Sequence, residues 1–392
     1  MSYYLLPNNH NNMTVDQLNV KSSNECGFEA FISKSLYKYV YNVKGQIDNY
    51  PLQWDNYKKY TNPYEYIHTQ VPNYTSPIAK YKPLSRSYFK FIEIAKLLHI
   101  MDQFSFKNIK SFHFAEGPGG FIEAINNMRS NIRDRYFGMT LINENINVPG
   151  WKKSKSFLET HPNIFLEKGQ TGDGDLYKVE NLKHCFSNYG NSIDLITGDG
   201  GFDFSVNYNE QEILSSKLIL VQIIYGLMLQ KKGGVFILKI FDTFCKASVQ
   251  CVYLLSTFYN QVYIVKPNTS RYANSERYLV CRDFKYANTE HFLSTFCQII
   301  EDMKDTSYVY NVLDISIPYN FICKIEEINA IFGQQQIESI INTINLIEHS
   351  KTEKIEQIKK NNIQKCINWC SKYNVPYNKS MSQHNIFLSR EI

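Results

Sequence analysis

The sequence lacks the features that mark several large classes of protein. Its nine cysteines include no CxxC pair, and the closest two, Cys366 and Cys370, have three residues between them. Because zinc sites are usually built from closely spaced cysteine or histidine pairs, no metal site is expected. The first residues show no basic segment followed by an apolar core, and no stretch of 18 apolar residues occurs. We therefore expect no signal peptide, no membrane span and an intracellular location.

Neither charge nor tryptophan is abundant. The 42 Lys and Arg residues exceed the 37 Asp and Glu residues by only five, which excludes a polybasic, histone-like binder. There are 3 Trp but 29 Tyr and 25 Phe, and Asn, Ile and Lys are also frequent. Two interpretations stay open: a genome rich in A/T codons, or aromatic surfaces on which RNA bases stack. With 43% hydrophobic residues the chain is long enough to fold around a large core.

Strand and helix patterns alternate through the middle of the chain. Such alternation predicts an α/β fold, with a mostly parallel central sheet flanked by helices. We expect an N-terminal extension of loops over 1–80 with one helix over 28–43, a central domain over 81–290, and a mainly helical extension over 291–392. Ser85 or Ser87 is the expected N-cap of the first central helix, and Gly233-Gly234 is expected to separate a helix from a strand. The strands are predicted at 109–115, 136–141, 192–197, 235–240, 261–266 and 276–282, and the central helices at 87–102, 121–128, 210–229 and 247–258.

A glycine-rich turn, residues 115–121, lies between a predicted strand and a predicted helix. Glycines allow a ligand to approach the backbone, and the helix N-terminus offers free N–H groups. An ordinary tight turn is the alternative for this segment. A nicotinamide site is disfavoured, because Pro118 interrupts the G-x-G-x-x-G pattern.

Four charged residues lie at or near strand ends or in a neighbouring helix. Asp199 ends a strand, Lys239 lies inside an apolar strand, Glu276 begins the last strand, and Lys90 lies in the helix 87–102. Each has an ordinary explanation: a turn residue, a lysine at a sheet edge, a surface carboxylate and an exposed helical lysine. Because ligands bind at the carboxyl ends of strands in open α/β sheets, Asp199 is expected to share a crevice with the glycine-rich turn.

Together, these charges suit methyl transfer to a sugar hydroxyl. A ribose 2′-OH needs a base, and a lysine amine accepts a proton only when it is deprotonated. A neighbouring cation such as Lys90 lowers the pKa of a lysine, while Asp199 and Glu276 would hold the geometry. The reaction depends on in-line positioning and requires no metal.

The same residues carry a resemblance to a known family. The chain resembles FtsJ-type RNA 2′-O-methyltransferases over about residues 85–285, and within them it is most similar to the eukaryotic and viral cap-specific mRNA enzymes. Those enzymes methylate the first nucleotide after the m7G cap. The similarity within the cap-specific group rests on 137–141, 172–176, 211–214 and 266–276. The family motifs are matched by 85–90, 115–121, 198–201, 237–239 and 275–277.

The resemblance implies a Rossmann-like S-adenosylmethionine-dependent methyltransferase fold and a Lys-Asp-Lys-Glu tetrad at Lys90, Asp199, Lys239 and Glu276, with Lys239 as proton acceptor. Glu116 departs from the small residue often found at its position. Candidate RNA contacts are Arg86, Lys266, Arg271 and Tyr272. The implied contacts of S-adenosylmethionine are Ser85, Ala115, Glu116, Gly117, Pro118, Gly119, Gly120, Phe121, Asp175 and Leu176.

The expected partner is the capped 5′ end of mRNA, with the capping or transcription machinery as a further candidate. The site of action is then the nucleus or cytoplasm, or the virion or host cytoplasm for a viral protein. Three alternatives remain: a methyltransferase of ribosomal or other structured RNA, a catalytically silent subunit with the same fold, and a nicotinamide oxidoreductase. Mapping the methylated nucleotide separates the first from the cap-specific reading.

Overall fold

The computed structural model describes residues 2–25, 29–143, 150–201, 208–349 and 351–378. An eight-stranded mixed sheet forms its centre, and a separate two-stranded sheet lies outside it. The strands are β1 (Ser2–Leu5), β2 (Leu18–Ser23), β3 (Lys110–Phe114), β4 (Arg135–Met139), β5 (Ile164–Leu166), β6 (Ile193–Gly198), β7 (Gln230–Ile240), β8 (Tyr259–Lys266), β9 (Arg277–Phe284) and β10 (Tyr308–Leu313). The helices are α1 (Lys34–Gly45), α2 (Pro51–Thr61), α3 (Ser87–Leu97), α4 (Gly120–Arg129), α5 (Lys155–Thr160), α6 (Val179–Tyr189), α7 (Gln211–Leu214), α8 (Ser216–Leu229), α9 (Lys246–Phe258), α10 (Leu293–Asp302), α11 (Tyr319–Glu348) and α12 (Thr352–Tyr373).

The order of strands in the large sheet is β1-β8-β9-β7-β6-β3-β4-β5. Pairing is parallel from β5 through β7, which confirms the predicted mostly parallel sheet. The pairings β7–β9, β9–β8 and β8–β1 are antiparallel. Strands β8 and β9 pair antiparallel because residues 267–276 join them without a crossover helix, and parallel pairing of consecutive strands requires such a crossover.

The chain leaves the centre of the sheet in two directions. It runs from β3 outward through β4 and β5, and then returns to place β6 on the other side of β3. The connections that follow β3 and β6 therefore diverge, which opens a crevice at the carboxyl ends of these two strands. The glycine-rich turn follows β3 and Asp199 follows β6, so the fold brings both to that crevice.

Helices cover both faces of the sheet, and the strand residues alternate between them. On β7, Phe236 and Leu238 pack with α8 and α9, whereas Val235 and Ile237 pack with α3, α4 and α12. By this alternation Lys239 faces the same side as Ile237, toward α3.

One stretch in the described part of the chain, Gln211–Leu229, is long and apolar enough to cross a membrane by length and mean hydropathy alone. This stretch meets both criteria although polar residues interrupt its apolar residues. Within the protein, 72% of its 18-residue window is buried, as expected of a helix in the core against the sheet.

Several predicted elements differ from the structure. Helix α3 ends at Leu97 rather than 102, and Arg86 occupies its N-cap position without a side-chain cap. Strand β7 begins at Gln230 and runs through Gly233-Gly234, where a break was expected. Residues 291–375 are mainly helical as predicted, apart from β10.

The N-terminal extension is more regular than expected. It contributes β1 to the edge of the large sheet and β2 to a pair with β10, besides α1 and α2. The helix expected at 28–43 is α1, which begins at Lys34, while Phe28 lies outside the described residues. The strands escaped notice because each pairs with a partner more than 200 residues away, and no local turn marks the pairing.

Candidate active site

The four predicted tetrad residues meet at the carboxyl ends of β6 and β7. The Lys90 Nζ atom, on α3, lies 2.7 Å from Oε1 and 2.8 Å from Oε2 of Glu276. The Lys239 Nζ atom donates to the backbone carbonyl of Asp199 at 2.7 Å and lies 3.4 Å from its Oδ1. The site therefore consists of two neighbouring lysine–carboxylate pairs.

Tyr278 connects the two pairs. Its residue pairs with Lys239 across the β7–β9 ladder, and its hydroxyl donates to Oδ1 of Asp199 at 2.9 Å. The Lys90 Nζ atom lies 6.0 Å from the centre of the Tyr278 ring. The hydroxyl of Ser270 donates to Oε1 of Glu276 at 2.7 Å. These contacts fix both carboxylates.

Burial sets the electrostatics of the site. The side chains of Asp199, Lys239 and Glu276 are each 13% exposed, and that of Lys90 is 7% exposed. Burial lowers the pKa of Lys90 below its ordinary value, although the charge of Glu276 opposes the shift. Burial alone would raise the pKa of Glu276, but the charges of Lys90 and Lys239 hold that pKa well below its usual range. Glu276 is therefore ionised at neutral pH.

The glycine-rich turn lies beside this cluster and opens α4. Gly119 has φ +97°, a conformation that favours glycine. A Cβ atom on Gly117 would lie 2.8 Å from the backbone of Gly150, so a side chain does not fit there either. A Cβ atom on Gly120 would meet the hydroxyls of Ser85 and Ser87 at 2.2 and 2.3 Å. The backbone of the turn thus packs directly against residues 85–87. Ser85, a predicted cofactor contact, lies beside the turn.

Glu116 lies beneath the turn rather than on its surface. One carboxylate oxygen accepts a hydrogen bond from Thr197, and the other, which has no hydrogen-bond partner, lies 3.5 Å from Nδ1 of His113. His113 also contacts Thr197 at 2.7 Å between Nδ1 and Oγ1. The side chain of Glu116 is 1% exposed, and burial raises its pKa. The side chain of Glu116 is thus accommodated between β3 and β6, where it interacts with the polar side chains of His113 and Thr197.

Asp175 and Leu176 lie in the connection that follows β5. A Cβ atom on Gly174 would lie 2.2 Å from the carbonyl oxygen of Thr140, so the connection packs against the end of β4. The Oδ1 atom of Asp175 accepts the backbone N–H of Tyr177 at 2.9 Å, and Leu176 is buried. Since β4 neighbours β3, these residues lie on the same edge of the sheet as the turn.

Comparison with known proteins gives the family. The sequence profile of the FtsJ-like methyltransferase family matches residues 83–284, which is more than half of the chain. The chain belongs to this family. The Rossmann-like methyltransferase fold predicted from the sequence is confirmed by the profile and by the sheet.

Three related proteins are named cap-specific mRNA (nucleoside-2′-O-)-methyltransferases. Enzyme 1 of Trypanosoma cruzi is 39% identical over 175 residues, covering 43% of this chain and 46% of the relative. Human enzyme 1 is 35% identical over 206 residues, covering 50% and 22%. Enzyme 2 of Danio rerio is 28% identical over 345 residues, covering 81% and 44%. The matches span less than half the length of each of these relatives.

Among solved structures, human methyltransferase-like protein 13 in complex with SAH aligns with a TM-score of 0.33 and 11% identity. That alignment covers 55% of this chain and 91% of the other. The similarity is too low to bear on the assignment.

The four candidate RNA-binding side chains of this FtsJ-like protein form hydrogen bonds within the protein to different degrees. Arg86 donates from Nη2 to the carbonyl of Thr269 at 3.3 Å, and its Nε has no hydrogen-bond partner. Arg271 donates twice to Glu65, at 2.9 and 2.6 Å, and keeps 23% of its side chain exposed. The Tyr272 hydroxyl donates to Oδ1 of Asn268 at 2.8 Å.

Lys266 does not fit the predicted phosphate contact. Its side chain is buried, at 3% exposure, and its ammonium donates to the carbonyl and Oδ1 of Asn274 and to the carbonyl of Glu276. Three acceptors satisfy all three donors of an ammonium group, so none is left for a ligand. Burial lowers the pKa of Lys266 to about 7. Lys266 therefore stabilises the segment 267–276 through its bonds to Asn274 and Glu276.

Glu93 was missed by the sequence reasoning. It is fully buried on α3, and its carboxylate accepts the backbone N–H groups of Asn268 and Thr269 at 2.9 and 3.1 Å. It thereby anchors the segment that carries Glu276. A signal existed, because Glu93 lies three residues after Lys90 within an apolar helix and so shares its face.

The described residues contain no group of three or more His, Cys, Asp or Glu side chains arranged to hold a metal ion. The eight cysteines within those ranges form no disulfide bond with one another.

Proposed function

We propose that this protein transfers a methyl group from S-adenosylmethionine to the ribose 2′-OH of the first transcribed nucleotide of m7G-capped RNA. The observation that carries the proposal is the convergence of Lys90, Asp199, Lys239 and Glu276 at the carboxyl ends of β6 and β7. The capped substrate is supported by the names of the related proteins. Such a protein would act inside the cell, alongside the machinery that caps mRNA.

Lys239 is assigned as the proton acceptor. Both oxygens of Glu276 engage the amine of Lys90, whereas Lys239 bonds to one backbone carbonyl and stands 3.4 Å from Asp199. A Cβ atom on Gly201 would lie only 3.0 Å from the Lys239 Nζ atom, so glycine keeps this side of the amine open. Lys239 is thus the amine with room for a hydroxyl group of the substrate.

The remaining tetrad members position the reacting groups. Asp199, held by Tyr278, orients the Lys239 amine. Lys90 and Glu276 form a neighbouring pair of opposite charge, which borders the Lys239–Asp199 pair and holds that side of the site in place. Nζ of Lys239 would accept the proton of the 2′-OH as this oxygen bonds to the methyl carbon, while the electron pair of the broken carbon–sulfur bond would stay on the sulfur of the cofactor. Positioned general bases typically contribute about 10²- to 10⁴-fold to a rate.

The glycine-rich turn fits S-adenosylmethionine. Gly117, Gly119 and Gly120 leave no room for side chains on the protein side, so the turn offers its backbone, and α4 directs its N-terminus there. The turn, Ser85 and the connection at 175–176 border the same crevice and would hold the cofactor. When bound, it supplies a methyl group on a positively charged sulfur.

A methyl-transfer assay tests the proposal. The purified chain is incubated with S-adenosylmethionine and one of three short RNAs: m7G-capped, unmethylated G-capped or uncapped with a 5′-triphosphate. We expect transfer to the m7G-capped RNA at least about tenfold faster than to the uncapped RNA. Equal rates on both would contradict the cap assignment and favour a structured-RNA substrate.

Two variants of β7 give the matched comparison. Lys239→Ala should reduce transfer by about 10²- to 10⁴-fold while cofactor binding is kept, because it removes the proton acceptor. Lys232→Ala, at an exposed position of the same strand, should retain wild-type activity. Retained activity in Lys239→Ala would refute its assignment as base, and failure of the wild-type chain to bind S-adenosylmethionine would favour a silent subunit.

A further inference from the structure

A buried cluster of charged and polar side chains lies on the other side of the sheet from the tetrad. We call this cluster the extension bridge; its members are Lys44, Asp242, Arg277 and Asn329. The Lys44 Nζ atom lies 2.7 Å from Oδ2 of Asp242, and Nη2 of Arg277 lies 3.2 Å from its Oδ1. Arg277 also donates from Nη1 to Oδ1 of Asn329 at 2.9 Å. Asp242 therefore binds both cations at once, while Asn329 holds the second.

The bridge is attached directly to the two strands that present the catalytic residues. Arg277 follows Glu276 in the chain, and it pairs in the β7–β9 ladder with Ile240, the residue after Lys239. Because successive side chains of a strand point to opposite faces, the side chain of Arg277 lies on the other side of the sheet from those of Glu276 and Lys239. A shift of Arg277 would therefore move the backbone of both catalytic residues.

The other ends of the bridge come from the two extensions. Lys44 lies in the last turn of α1, within the N-terminal extension. Asn329 lies on α11, within the C-terminal extension, and its side chain also accepts from Thr243 Oγ1 at 2.7 Å and donates to the Thr243 carbonyl at 2.9 Å. Both extensions thus reach the end of β7 through polar side chains.

The charged groups of the extension bridge are shielded from water, which therefore cannot replace a lost partner. The side chains of Lys44 and Asp242 are each 7% exposed, and that of Arg277 is 1% exposed. Burial alone would raise the pKa of Asp242, but Lys44 and Arg277 hold it below its ordinary value. The guanidinium of Arg277 also lies 4.8 Å from the centre of the Phe332 ring, on α11. Removing one member leaves the other charges buried without a full set of partners.

We propose that Lys44 and Asn329 are positioning residues for methyl transfer, which hold Lys239 and Glu276 in register through Asp242 and Arg277. The inference rests on the proposed function. It makes the two extensions part of the catalytic geometry, although neither residue touches the reacting groups. Misplacement of reacting groups by about 1 Å can reduce a rate by roughly 100-fold, so loss of the bridge should act mainly on kcat.

The test uses the full chain and four variants. Lys44→Met removes the cation from the N-terminal side, and Asn329→Ala removes the acceptor from the C-terminal side. Lys38→Met and Asn342→Ala, at exposed positions of the same two helices, are the matched controls. The measurements are kcat and KM for methyl transfer to m7G-capped RNA, the Kd for S-adenosylhomocysteine, and the thermal unfolding midpoint, all with wild-type protein alongside.

We expect kcat to fall at least about tenfold in Lys44→Met and in Asn329→Ala, with KM and Kd changed less than about threefold. Lys44→Arg should recover most of the lost kcat, because it restores the cation. Wild-type kcat in folded Lys44→Met and Asn329→Ala, or a loss confined to KM or Kd, would overturn the inference. If one variant fails to fold, the other decides. An inactive wild-type chain would instead refute the proposed function.

Discussion

Glu276 is the residue whose removal should reveal most about the site. Glu276→Gln keeps the shape of the side chain and removes its charge. The Lys90 ammonium, 7% exposed, would then lose an ionic partner whose two oxygens lie 2.7 and 2.8 Å away. A hydrogen bond between charged groups contributes about 1.5–3 kcal/mol, and the amide oxygen of glutamine retains part of it. We therefore expect the free energy of unfolding to fall by about 2 kcal/mol at pH 7.

The pH dependence gives a second measure of the same pair. The pKa of Glu276 is lower in the folded protein than in the unfolded chain, so its contribution to stability is present above the unfolded value of about 4.3 and is lost as pH falls below it. The stability difference between wild type and Glu276→Gln should therefore stay constant from pH 7 to about 5 and shrink as the pH is lowered through about 4 and below. Denaturant unfolding followed by circular dichroism measures both quantities.

Activity completes the test of Glu276. In Glu276→Gln one oxygen becomes an amide nitrogen, so Lys90 loses its ionic partner and one of its two acceptors, and kcat should fall roughly 100-fold. The control is Glu353→Gln, at an exposed position on α12, which should match the wild type in both assays. The reasoning is refuted if Glu276→Gln unfolds at the wild-type denaturant concentration and methylates at the wild-type rate.

Three further predictions concern the turn, the buried lysine and the RNA contacts. Gly117→Ala should weaken S-adenosylhomocysteine binding at least about tenfold by calorimetry, because the new methyl group meets the backbone of Gly150 at 2.8 Å; unchanged affinity would place the cofactor elsewhere. The pKa of Lys266 is lowered by burial to about 7, so the unfolded chain binds more protons between pH 7 and about 10.4, and the stability of wild type relative to Lys266→Met should rise with pH across that window; a flat difference contradicts this. RNA affinity should fall as salt rises, and Arg86→Met should reduce the slope by about one; a salt-independent affinity counts against phosphate contacts.

The site was largely predictable because its residues carry local signals. Glycines at a strand–helix junction and Lys239 within an apolar strand indicate a ligand site before any pairing is known. The α/β alternation then places Asp199 in the same crevice, since carboxyl ends of parallel strands meet at one edge of the sheet. The contacts that fix the carboxylates, such as that from Tyr278, depend on the β7–β9 register and have no local signal.

The extensions were less predictable for a related reason. Strand β1 pairs with β8 about 260 positions later, and a four-residue edge strand has too little periodicity to be recognised. Lys266 was misassigned because a lysine at a strand end is usually solvated, whereas here residues 267–276 fold back over it. Lys44 has no sequence signal at all, since its partner Asp242 lies 198 residues away.

The central claim is methyl transfer to one ribose of capped RNA, and mapping the methyl group tests it most directly. Short m7G-capped RNA is incubated with the chain and S-adenosylmethionine, digested, and analysed by mass spectrometry to locate the added methyl group. We predict the group on the 2′-oxygen of the first transcribed nucleotide, present with wild type and Lys232→Ala and absent with Lys239→Ala. A methyl group on a base, on the second or an internal nucleotide, or one that persists in Lys239→Ala would contradict the account.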